Sequence, residues 1–231
     1  MINRVSIGRS IAMFLYGIGA VFAIYIGSLI FMGDVMFDVR GLILSSMMVC
    51  IPSGIATYLL IKNTQNVATK YRIMDVFMAI LLSFYSLLLI SILFLNYTRN
   101  IGAISISSNT TNFRLNANFI PFKTITIYIQ SFINGNLNKS IIFQNLLGNL
   151  LLFSPMGILL PSLFKKLQKL KLFLLSLLII LISVEVGQLL TSSGSFDIDD
   201  IILNIAGAAF FYFLWSLNIS QRFLRKIYII K

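Results

Sequence analysis

Residues 172–190, LFLLSLLIILISVEVGQLL, run for nineteen positions with a single charged side chain, Glu185. A helix needs about 20 apolar residues to cross the hydrocarbon of a bilayer, so this stretch reads as a membrane span. Five more windows of the same kind lie at roughly 10–32, 41–61, 74–95, 141–163 and 201–218. The composition agrees, because 58% of the 231 residues are hydrophobic, 11% are charged and the mean hydropathy is +0.93. That is too apolar for a water-soluble domain of this length. The expected fold is therefore all-α: a polytopic transmembrane helical bundle of about six spans, with a 45-residue outer loop (96–140) carrying a short interfacial helix.

Orientation follows from where the eighteen Lys and Arg residues fall. With a cytoplasmic N-terminus, the inner segments hold Arg4, Arg9, Lys62, Lys70, Arg72, Lys165, Lys166, Lys169, Lys171, Arg222, Arg225, Lys226 and Lys231. The outer segments hold only Arg40, Arg99, Arg114, Lys123 and Lys139. Such an excess marks the inner face, so both termini are expected in the cytoplasm and the chain in the cell membrane. The same distribution explains the formal charge of +11 without nucleic acid, which is not expected as a partner. The apolar run from Ile11 to Met32 exceeds the core of a signal peptide and reads as a retained anchor.

The chain has no His and one Cys, Cys50. That excludes a disulfide within it and any soft or imidazole ligand set for zinc, iron or copper. Cys50 reads as a small packed hydrophobe. No cofactor is expected, and any metal would be an oxygen-ligated Mg or Ca. In the outer loop, Ile125, Tyr128, Ile129, Phe132 and Ile133 recur at helical spacing, which suits a short amphipathic helix in the outer interface. Thr124 to Ile127 also alternates like a strand. The three Asn-x-Ser/Thr triplets from Asn96, Asn109 and Asn138 reflect the local abundance of those residues.

Polar residues converge on the outer side. At 1.5 Å per residue, Asn145 and Asn149 lie roughly 6 and 12 Å below the outer end of the fourth span. Glu185 lies roughly 7–8 Å below that surface, with Gln188 one turn nearer to it, and Asn204 sits about 6 Å down the sixth span below Asp200. A carboxylate at the centre of a span costs up to about 3 kcal/mol on insertion scales. Glu185 is therefore expected to face the bundle or a wet cleft, either protonated or hydrogen-bonded to Asn149 or Asn204. The alternative is a structural clamp among Glu185, Asn149, Asn204 and Gln188 at about 0.6 kcal/mol per contact. Gly148 and the Gly207-Ala208-Ala209 run favour close helix approach. Pro155, Gly157 and Pro161 in SPMGILLP should break or kink the fourth span, and Pro52 with Gly54 could bend the second. The cluster GSFDIDDIILN (194–204) offers Asp197 as a helix cap and places Asp199 and Asp200 in the first turn. A cap needs one acid, so a further partner is expected: a cation held by Asp197, Asp199 and Asp200, the loop's Arg114, or a ligand ammonium.

From about Met74 to Trp215 the chain resembles the VanZ-like family of bacterial membrane proteins. Three blocks carry the resemblance in order: NFIPFKTI with Arg114 upstream, GNLLLFSPMGILLP, and VEVGQLL followed by GSFDIDDIILNIAG. By position it points to Asn118, Pro121 and Phe122, to Asn149, Phe153, Pro155, Gly157 and Pro161, to Glu185 and Gln188, and to Asp197, Asp199, Asp200, Asn204 and Gly207. Some members carry an Arg just before the acidic cluster, whereas Gly194 and Ser195 stand here. The resemblance implies a division into a two-helix segment (1–73), a VanZ-like four-helix domain (74–218) and a basic cytoplasmic tail (219–231). It also implies a link to reduced sensitivity to glycopeptide and lipoglycopeptide antibiotics such as teicoplanin.

Three functions follow. In the first, a non-enzymatic protein engages an envelope amphiphile, a cell-wall lipid precursor or a lipoglycopeptide, in an outward polar cleft. The second is an enzyme using Glu185 or an Asp of the cluster as acid or base on a lipid-linked substrate. It lacks His and any nucleophile-and-base pair. The third, a small transporter, has the broken fourth span in its favour and six spans without a repeat against it. Oligomeric state is not legible.

Overall fold

A computed structural model of the chain describes residues 4–32, 39–95, 117–191 and 193–230. Six helical segments among them are long and apolar enough to cross a membrane, and the protein is an all-α, multi-pass membrane protein. Arg114 and the triplets from Asn96 and Asn109 lie outside the described residues. By compactness the chain divides into Met1–Asn96 with Arg222–Lys231, and Tyr97–Gln221. The third span thus groups with the first two, unlike the division at 73/74 that the resemblance implies. The four-residue connection 63–66 favours packing of adjacent antiparallel helices.

The first unit contains α1 (Arg4–Met32), α2 (Val39–Lys62) and α3 (Val67–Ile90), which runs on into a π-helical turn, Ser91–Leu95. Asn66 starts α3 by accepting the amides of Ala68 and Thr69 at 2.8 and 3.3 Å, serving donors that a helix cannot serve itself. Ile26, Val49, Phe84 and Leu88 form its apolar core. The hydroxyls of Ser45, Ser53 and Thr57 bond back to carbonyls four residues earlier, at 2.6, 2.7 and 2.7 Å. This is how polar side chains are hidden inside a membrane helix. Pro52 lies inside α2 without ending it, and Cys50 is half-buried rather than fully packed. After α9 (Asn218–Lys226, below) the tail brings Tyr228 edge-on to Tyr71, with ring centres 5.6 Å apart, and within 3.4 Å of the Lys70 ammonium.

The described part of the second unit begins with a two-residue strand, β1 (Ala117–Asn118), paired in parallel with β2 (Phe196–Asp197). Between them come α4 (Lys123–Asn134), α5 (Lys139–Leu152), α6 (Met156–Leu163), a 3₁₀ turn (Lys165–Gln168) and α7 (Leu170–Leu190). After them comes α8 (Ile198–Ser216), followed by α9. The LFLLSLL stretch forms α7. Its positions 173, 177 and 181 make a buried stripe at four-residue spacing, and Glu185 is the next member. This periodicity is what carries a carboxylate inside.

The fourth span is broken as SPMGILLP suggests: α5 ends at Leu152, a turn spans Phe153–Pro155, and α6 resumes at Met156. Ser154 Oγ satisfies the Leu150 carbonyl at 2.7 Å there. α5 and α8 run side by side in the same direction, so close that a Cβ on Gly207 would collide with the Leu150 carbonyl. One on Gly157 would strike the Ala208 carbonyl and the Tyr212 amide. Gly148, expected to allow close approach, has nothing within 4 Å of such a Cβ and plays no such part. At the far end Phe173 stacks on Tyr212 at 4.7 Å, and the Trp215 indole donates to Ser162 Oγ at 3.1 Å.

Candidate functional site

The acidic cluster and Glu185 meet in the second unit, and their partners sort them into two groups. Asp199 is fully buried, and its carboxylate sits on the start of α4. It accepts the amides of Phe122, Thr124 and Ile125 at 2.5, 2.7 and 3.1 Å. α4 has no cap of its own, because Phe122 occupies the cap position in the left-handed region (φ 65°) without a side-chain bond and no acid lies in the first turn. A carboxylate from another helix thus supplies both the missing acceptor and the negative charge that a helix N-terminus favours.

Asp197 caps α8, as its position predicts, by accepting the Asp199 amide at 2.9 Å. The same carboxylate receives the Asn118 side-chain amide at 2.9 Å and the Thr124 hydroxyl at 2.6 Å, which ties β1 and α4 to the beginning of α8. Its own amide donates to Glu185 Oε2 at 3.0 Å. Glu185 therefore meets the cluster's backbone rather than Asn149 or Asn204, the partners expected for it. The residues that fold down over it lie in β2, whose path the spans alone do not determine.

Asp200 belongs to the second group. Its carboxylate accepts the side-chain amide of Asn149 on α5. One turn on, Asn204 is 4% exposed and spends its amide N–H on the Asp200 carbonyl at 2.8 Å. Its Oδ1 is buried and has no hydrogen-bond partner. An orphaned buried acceptor costs roughly 1–3 kcal/mol, and in native proteins such a group calls for an explanation. Above, on α4, Tyr128 is half-buried. Burial first, and then the nearby Asp200 and Asp197 carboxylates, hold its phenol above the ordinary value.

The remaining candidates separate. Asn145, one turn before Asn149, is exposed and bonds only back to the Ile141 carbonyl at 2.8 Å. α8 begins two residues before Asp200, while Asn145 lies about 6 Å beyond Asn149, past the neighbour's end. Gln188 packs under Gly194, where an added Cβ would lie 3.4 Å from it. Pro121 and Phe122 are exposed in the turn that enters α4. Phe153 is buried at the break, Pro155 precedes α6 and Pro161 lies within it. Asn138 caps α5 through the Ser140 amide at 2.9 Å. Among the described residues no three His, Cys, Asp or Glu side chains are grouped to hold a metal ion. Backbone N–H groups occupy the Asp199 oxygens that a Mg or Ca would need.

Thr124 was not singled out in the sequence, yet its amide and hydroxyl bind two different acids. The available signal was a helix with no cap of its own, facing a surplus of carboxylates elsewhere in the chain.

A model of the VanZ/LLP1 family matches residues 82–220, more than half of the chain. The chain belongs to the VanZ/LLP1 family. The matched stretch contains every residue of the clamp that joins β1 and α4 to the start of α8 and to Glu185. No curated protein and no solved structure matches the chain.

Proposed function

We propose that this VanZ-like membrane protein binds an amphiphile of the cell envelope without catalysis, and that through this binding it lowers sensitivity to glycopeptide antibiotics of the teicoplanin type. The bound molecule is a lipid-linked wall precursor or a lipoglycopeptide. In this reading the protein sits in the cell membrane with both termini in the cytoplasm, as the Lys and Arg distribution favours, and the acidic cluster opens outward.

The observation that carries the reading is the orphaned Oδ1 of Asn204 beside the half-buried Asp200. An acceptor enclosed by protein and beside a carboxylate is suited to a group that brings N–H or O–H donors, above all a cationic amine. The exposed apolar side chains of α4 support the same reading. Ile127, Ile129, Phe132 and Ile133 are exposed on a helix whose first turn is fastened by Asp197 and Asp199, which suits an element lying along acyl chains.

The test is the minimum inhibitory concentration of teicoplanin for a host expressing the wild type, E185Q or D200N at equal membrane levels. Both variants keep the shape of the side chain and remove its charge. Each is expected to fall to the value of the host without the protein. Unchanged protection in both would overturn the reading.

A further inference from the structure

The first unit, most of which lies outside the family-matched stretch, holds an apolar cleft of about 490 Å³ between α1 and α3, with α2 as its floor. Its size falls within the range of ligand sites. Small side chains make the space: Gly19, Ala20 and Ala23 on α1, and Ala79 and Ser83 on α3. Gly19 also lets α1 approach α2, because a Cβ there would lie 2.8 Å from Ser53 Oγ. The cleft makes little polar demand. Ser53 bonds its own helix at 2.7 Å, and Tyr16 is bonded to Thr57 at 2.6 Å.

We infer that this cleft is a binding site for one hydrocarbon chain of a membrane lipid. All its lining lies in spans that cross the membrane, so the candidate occupants are lipid chains and transmembrane helices. Size decides between them. The lining runs from residue 16 to 24 on α1 and from 76 to 87 on α3, or about 12–17 Å at the helical rise. Spread over that length, the volume leaves a cross-section of about 30–40 Å², whereas a helix about 10–12 Å across needs roughly twice that or more. A slim, unbranched apolar chain enters such a cleft whole, whereas a helix meets it only with the side chains of one face. Leaving the cleft empty would forfeit the dispersion contacts of its walls.

The test uses the full chain in phosphatidylglycerol vesicles containing a trace of phospholipid with a photoactivated diazirine near the methyl end of one acyl chain. Adducts are mapped by mass spectrometry in the wild type, A20F, A79F and V21F. Ala20 and Ala79 are exposed, so a larger side chain at either enters the cleft rather than the core, and Val21 is an exposed neighbour outside the lining. Adducts are expected to concentrate on Gly19, Ala20, Ala23, Ala79, Ile80 and Ser83, to fall at least about fivefold in A20F and A79F, and to persist in V21F. Circular dichroism and thermal melting confirm that the filled variants fold, and A20L and A79L serve in place of either that does not. Labelling spread over all lipid-facing side chains in proportion to exposure would overturn the inference, as would equal labelling after filling. A disulfide between copies carrying A20C in a C50S background would assign the cleft to a second copy and also overturn it.

Discussion

Asp199 and Asn204 lie five residues apart on one helix, both almost wholly buried, and their hydrogen bonding is opposite. Asp199 has three donors for its two oxygens, while Asn204 Oδ1 has none. Burial therefore does not by itself mark a functional group. The saturated acids, Asp197 and Asp199, are the structural half of the cluster, and the undersaturated part, Asp200 with Asn204, is the half that the proposed function assigns to a ligand.

The largest way to break this contrast is D199A. It leaves three amides at the start of α4 without their acceptor, and a loss of about 3–5 kcal/mol is expected, because several hydrogen bonds to a charged group, at roughly 1.5–3 kcal/mol each, are lost together. Rapid tryptic cleavage at Lys123 in detergent micelles would report it. Melting and cleavage like the wild type would show that Asp199 is not structural. N204L should move the other way. Removing an unsatisfied acceptor is expected to raise stability by about 1–3 kcal/mol, seen as a higher melting temperature, while teicoplanin protection is lost. A stable N204L with full protection would erase the distinction between the two halves. The smallest effect belongs to F122G. Glycine relieves the left-handed backbone of Phe122 but adds freedom to the unfolded chain, leaving a gain of about 1 kcal/mol or less. A clear destabilisation by thermal melting would mean that the exposed Phe122 ring matters more than its backbone.

The spans were legible because length and apolar content suffice to define them. The break after Leu152 was legible because Pro155 cannot donate an amide. The cap of α8 was legible too, since it joins neighbours in sequence. The partner of Asp199 was not, because it lies 75 residues away from Thr124 and no local pattern sets the register between a loop helix and a span. The spacing of Asn145 and Asn149 gave them one face, but where α8 begins determines that only the second meets an acid. Gly148 and Gly207 offer equal local grounds for close packing, and only the crossing of α5 and α8 separates them.

The Asp199 cap also imposes an order on assembly. α4 leaves the ribosome well before the acid that completes it, and at about 5–20 residues per second the interval is roughly 4–15 seconds. During that time its first amides have only water or lipid headgroups to meet, so α4 is held in place by a span synthesised later rather than by its own sequence.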